Sequence, residues 1–169
     1  MLHTWSSLLS SSLILASIAV LLTASLHDII ARTVPNGMAL ALAVLGLGIR
    51  VTNGNLLTGM LAGTIVFVAA AFVWRRGWMG GADVKLLGAA ALVVPPSAVT
   101  DFIVAVSLTG GALALFYLAA RRFVPVNHSG MRPRSLLGRA FRAECWRIRR
   151  GGPLPYACAI AAGGLFILL

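Results

Sequence analysis

Four acidic residues occur in 169, and two of them, Asp28 and Asp83, each stand where an apolar stretch meets a short basic segment. A carboxylate at the edge of a bilayer costs desolvation energy unless something pairs with it, which makes such positions functional candidates. Brought together, two carboxylates form an acid/base pair. They cannot both ionise cheaply, so one keeps a proton while the other stays charged. The charged one can take a proton from water as it attacks a carbonyl, and the protonated one can polarise that carbonyl, which is the chemistry of peptide hydrolysis.

The first constellation reads His27-Asp28-Ile29-Ile30-Ala31-Arg32-Thr33-Val34-Pro35-Asn36. Asp28 and Arg32 stand four apart, on one face of a continuing helix, and a plain reading makes them an interfacial ion pair. Pro35 disfavours helix at Val34 and can open the next helix, so a first helix should end near Arg32. The second constellation reads Gly77-Trp78-Met79-Gly80-Gly81-Ala82-Asp83-Val84-Lys85. Gly80 and Gly81 permit backbone conformations closed to other residues and let another segment approach closely. A plain reading of Asp83 is the N-cap of a helix beginning at Val84, a role compatible with catalysis. Lys85 could lower the pair's pKa, hold a substrate carboxylate or snorkel to the interface; snorkelling is the expectation.

The elements that must position these residues follow from composition. The chain is 59% hydrophobic and 11% charged with a mean hydropathy of +0.94, more apolar surface than a soluble core of this length can bury. The expectation is an all-α, polytopic membrane bundle: one integral-membrane domain over 1–169 with about six transmembrane helices and a basic loop at 121–153. Apolar runs fall near 8–26, 34–52, 56–74, 84–100, 102–120 and 154–169, the second and sixth being only marginally long. If all six cross, Asp28, Asp83 and the loop share one side, which holds thirteen of the fourteen basic residues and leaves Arg50 opposite. The positive-inside rule makes that side cytoplasmic and puts both termini outside. Asp101 falls on the outer face, where Pro95 and Pro96 should end helix 4 and Asp101 should cap helix 5.

His3 is the one chargeable side chain before Leu13, so the N-terminus lacks a basic n-region and reads as a retained helix rather than a cleaved signal. Cys145 and Cys158 form no C-x-x-C and read as free thiols, and His3, His27 and His128 are dispersed, so neither metal nor cofactor is expected. Gly59 and Gly63 form a G-x-x-x-G, read as packing inside the bundle. In the loop, Leu137, Phe141, Cys145 and Ile148 recur at helical spacing, with Arg139, Arg142 and Arg149 largely off that stripe. The stripe predicts an interfacial helix on anionic lipid of the cytoplasmic leaflet; juxtamembrane arginines already have lipid phosphate beside them, so no nucleic-acid partner is expected.

The run from Asp28 through Arg32 to Val34-Pro35-Asn36 resembles the D-x-x-x-R-x-I-P-N signature of type IV prepilin peptidases. Gly80-Gly81-Ala82-Asp83-Val84-Lys85 is similar to their G-x-G-D motif followed by V-K, with Ala82 in place of the second glycine. Pro155-Tyr156-Ala157-Cys158-Ala159-Ile160-Ala161-Ala162-Gly163 resembles their P-Y-x-x-A-I-x-x-G stretch. The resemblance implies a GxGD-type aspartic endopeptidase of the bacterial inner membrane that removes the basic leader of prepilins or pseudopilins at the cytoplasmic face. It implies Asp28 and Asp83 as catalytic residues, with Arg32, Pro35, Asn36, Gly80, Gly81, Lys85, Pro155 and Tyr156 supporting them. The cysteine-rich methyltransferase region of the larger family members has no counterpart, so no methylation is implied, and the size matches the small members associated with tight-adherence (Flp-type) pili. Pilus or secretion assembly proteins are then the implied partners. Two other classes stay open: a small proton-coupled transporter using the same acids as relays, and a non-catalytic scaffold of a secretion machine.

Overall fold

The structure, a computed structural model, describes residues 2–123 and 154–169. Every regular element among them is helical: α1 (Leu2–Ala31), α2 (Asn36–Thr52), α3 (Leu56–Arg75), α4 (Gly81–Val93), a 3₁₀ turn (Pro96–Ala98), α5 (Val99–Ala120) and α6 (Tyr156–Leu168).

Local chemistry accounts for most helix ends. α1 runs thirty residues without a glycine or proline, and its hydroxyl side chains turn back onto the preceding turn: Ser12 to the Leu8 carbonyl, Ser17 to Leu13 and Thr23 to Ala19. It stops where Arg32 takes a positive φ of 56° and Val34 meets Pro35, which stands at the N-cap of α2. α3 ends at Gly77, whose φ of 76° lets its N–H return to the Trp74 carbonyl at 2.8 Å, a left-handed stop that a side chain would strain.

α4 departs from the sequence reading at its start, and ends ahead of the proline pair as expected, short of the full apolar run. The apolar run at 84–100 predicts a crossing helix opened at Val84 and capped by Asp83. The helix instead opens at Gly81 with Gly80 as N-cap, so Asp83 stands inside the first turn and is not the cap. It closes at Val93, because Val94 and Pro95 are held extended ahead of Pro95 and Pro96. Thirteen residues at about 1.5 Å each make a rod of about 20 Å, short of a bilayer's hydrocarbon thickness. Asp101 likewise lies in the first turn of α5, whose N-cap is Ala98 with no side-chain cap bond, and is not the cap expected of it.

Among the described residues three helices are long and apolar enough to cross a membrane, Trp5–Ala31, Leu56–Arg75 and Pro96–Ala120, and the chain is a membrane protein. The shorter α2, α4 and α6 pack among them. α4 is the hub: Val84, Leu86 to Ala91 and Val93 are buried, with α2 and α3 laid against it, while α6 packs on α5 and α1. Small residues allow the close approach. A Cβ on Gly63 would fall 2.7 Å from Leu92 of α4, so the G-x-x-x-G of α3 serves packing within the bundle. Large apolar side chains such as Leu57, Leu108 and Leu115 point outward, as lipid-facing residues do. The amphipathic stripe of Leu137, Phe141, Cys145 and Ile148 lies outside the described residues.

Candidate active site

Asp28 sits in the last turn of α1 and is 7% exposed. α6 begins beside it: the backbone N–H of Ala157 donates to Asp28 Oδ2 at 3.3 Å. Pro155, fully buried, occupies the N-cap position of α6 and needs no N–H there. The free N–H groups of a helix's first turn favour negative charge, so α6 directs its positive end at Asp28.

Asp83 enters the same recess from the first turn of α4. Its carboxyl folds back over Gly80 and accepts a hydrogen bond from that residue's backbone N–H. A Cβ on Gly80 would lie 2.8 Å from Asp83 Oδ2. Gly80 itself has φ −71° and ψ 142°, an ordinary extended conformation. The glycine therefore supplies space for the carboxyl rather than the backbone freedom that sequence suggested. Ala82, the departure from G-x-G-D, fits inside the helical turn.

Together Asp28 and Asp83 line a recess of about 610 Å³, with Arg32, Trp78, Leu154 and Tyr156 among its walls. Burial first, and then the neighbouring Asp28 charge, push the Asp83 carboxyl up to about 6, against the Gly80 N–H, which lowers it. Asp83 lies outside the three membrane-crossing segments. Two carboxyls that feel each other in this way titrate as one unit and share a proton over part of the pH range. Such a pair can activate water and polarise a peptide carbonyl at once.

The other sequence-designated residues fall into two groups. Arg32, Gly80, Gly81 and Tyr156 reach the recess. Gly81 also makes room for Trp74, whose Nε1 would lie 3.3 Å from a Cβ. Pro35, Asn36 and Lys85 do not line it. Lys85 is exposed, faces the groove between α2 and α3 on the other side of α4, and donates to Asn36 Oδ1 at 2.8 Å. It neither snorkels alone nor meets the pair; it ties α4 to the start of α2.

Three further contacts escaped sequence reasoning. The Arg32 guanidinium donates to the Tyr117 hydroxyl at 3.4 Å, His27 Nδ1 meets the Thr33 carbonyl, and Ser25 Oγ donates to Cys158 Sγ at 3.2 Å. The Arg32–Tyr117 and Ser25–Cys158 contacts join residues 85 and 133 apart, and neither leaves a local pattern to find. Among the described residues no group of three or more His, Cys, Asp or Glu is placed to hold a metal ion.

The sequence model of the type IV leader peptidase family matches residues 15–115, a span that contains both Asp28 and Asp83 and stops short of Tyr156. No curated protein and no solved structure matches the chain.

Proposed function

Because this chain belongs to the type IV leader peptidase family, we propose that it is an aspartic endopeptidase that cuts the leader from type IV (Flp-like) prepilins or pseudopilins. The observation that carries this reading is the meeting of Asp28 and Asp83 in one recess at the first turns of α6 and α4. In the mechanism, the singly protonated pair holds a water between its carboxyls. The ionised carboxyl takes a proton as the water attacks the scissile carbonyl, and the protonated one donates to the carbonyl oxygen. Return of a proton to the leaving amine breaks the C–N bond and restores the pair. Tyr156 and Arg32 line the recess, where they would flank a bound scissile bond. No methyl transfer is proposed.

The distribution of basic residues supports an inner-membrane protein whose recess faces the cytoplasm, with anionic lipid beside its basic loop. A relay in a proton-coupled transporter would place its acids near the bilayer midplane. Here both stand in end turns, Asp28 in the last of α1 and Asp83 in the first of α4, which favours hydrolysis. The test is co-expression with a candidate prepilin, read as a mobility shift on a gel. A shift that persists when either aspartate is replaced would overturn the proposal. Orientation is read separately: Asn53→Cys should react with an impermeant thiol reagent from outside, and Cys145 only after the membrane is opened.

A further inference from the structure

Arg50 is the largest fully buried side chain in the molecule's described part, 1% exposed, in the last turn of α2 at the end of the bundle remote from the carboxyls. Among the described residues it has no carboxylate partner, and its Nε has no hydrogen-bond partner at all. Burying a guanidinium this way is costly compared with an apolar side chain of the same volume. What it does make is directional. One terminal nitrogen donates to the Val93 carbonyl, the last residue of α4, at 2.8 Å. The other reaches Asn55 Oδ1 at 3.4 Å. Its stem crosses Gly59 of α3 so closely that a Cβ there would lie 2.3 Å from Arg50 Cδ. The charge rests between two helix C-termini, its own and that of α4, whose partial negative charge suits a cation.

α2 and α4 run in the same direction, each beginning at the carboxyl end of the bundle. Between Lys85 and Val93, α4 carries only Leu, Gly and Ala. Leu92 is seated against Gly46 and Gly63, and Gly88 against Phe67, close apolar packing that supplies no polar, directional tie along the helix axis. Lys85 to Asn36 ties α2 to α4 at the near end through an exposed pair, and Arg50 to Val93 ties them at the far end through a buried one. We propose that Arg50 is a positioning residue for the carboxyl pair: it sets the axial place of α4 and thereby the separation of Asp83 from Asp28. A single straight helix carries the displacement, since Val93 and Asp83 are the two ends of one hydrogen-bonded rod. The inference rests on the peptidase reading for its kinetic consequence, though not for its geometric one.

The test uses the full-length chain in lipid nanodiscs with two readouts, cleavage of a prepilin and titration of ¹³C-labelled aspartate carboxyls by NMR. The groups facing Asp83 in the recess are Asp28 of α1, Arg32 just beyond it and Tyr156 of α6; Lys85 lies across α4. With Arg50→Met the rod loses its far-end polar tie and should shift within its apolar packing. The kcat per folded molecule should fall about tenfold or more with KM within about twofold, as for a misplaced catalytic group. The Asp83 midpoint should drop below its wild-type value as the Asp28 charge recedes. Gly59→Ala, which keeps Arg50 but pushes its stem aside, should act in the same direction. The double variant R50A/G59A should be no worse than R50A, because the side chain that the new methyl strikes is gone. A folded R50M with wild-type kcat and an unmoved Asp83 midpoint overturns the proposal, as does a G59A indistinguishable from wild type, which decides the matter if R50M does not fold. If the midpoint moves with Arg50 while the wild type cuts no prepilin, the clamp stands and the peptidase reading falls.

Discussion

The two ends of α4 bury charge in opposite ways. At its first turn, Asp83 and its neighbour Asp28 occupy the positive ends of α4 and α6, in a recess that water can enter. At its last turn, Arg50 meets the negative ends of α4 and α2 in a site closed to solvent. Both placements obey the same electrostatics of helix termini, yet only one leaves room for a substrate. Acids in an open recess with a raised carboxyl can exchange protons with a reactant. A guanidinium that is never deprotonated and is sealed among helices can only hold structure. On the proposed reading, the contrast sets a place for chemistry and a place for support at the two ends of a single thirteen-residue helix.

The largest effect should come from erasing the acid end. Asp28→Asn and Asp83→Asn should each lower leader cleavage by about a thousandfold or more while leaving membrane insertion unchanged, since each removes half of the acid/base pair. Processing by either variant near the wild-type level, seen on a gel of the co-expressed prepilin, would mean that the open end is not the chemical one.

A smaller loss is expected from the glycine that makes room. In Gly80→Ala the new methyl would sit 2.8 Å from Asp83 Oδ2, so the carboxyl must turn away from the Gly80 N–H. Cleavage should drop by about ten- to a hundredfold, from a shift of about 1 Å in one catalytic group. Thermal stability should change little, because the backbone there suits any residue. Full activity in purified G80A would show that the close fit over Gly80 is incidental.

The electrostatic coupling can be read directly. The folded chain holds the Asp83 proton up to about 6 against 3.8 in an unconstrained chain. The native state therefore binds more protons than the unfolded state between those values, and stability should fall as pH rises from 3.8 to about 6 and then level off. Asp83→Asn should remove that slope in a series of melting curves. Cleavage by the wild type should decline as pH passes upward through about 6, where the pair loses its shared proton. Asp28→Asn should lower the Asp83 midpoint without returning it to 3.8, because burial, the larger cause, remains. A midpoint unmoved by that change would show that the carboxyls do not sense each other.

The smallest effect is expected at the third described aspartate. Asp101 is exposed at the start of α5, makes no side-chain cap bond and lines neither the recess nor the Arg50 site. Asp101→Asn should cleave prepilin at the wild-type rate.

Sequence alone determined the class of molecule and the places where helices stop. Apolar runs of 17 or more residues, interrupted by Val34-Pro35 and by Pro95-Pro96, leave a membrane chain few alternatives to helices bounded there, because these effects act within one turn of the residue concerned. It also put Asp28 and Asp83 at one end of the bundle by counting crossings, a parity argument that needs no contact. Only tertiary structure decided what surrounds them. α4 begins at Gly81 rather than Val84, so Asp83 is a first-turn residue and not a cap. Gly80 is needed for a carboxyl that folds over it, and Asp28 is held by an N–H 129 residues away. Arg50, which sequence places only as a lone cation on the far side, becomes the buried tie on α4. Each of these depends on which helices lie side by side, and that is settled by the fit of small residues such as Gly46, Gly63 and Gly163 against distant Leu92 and Val106, a fit that no local spacing encodes.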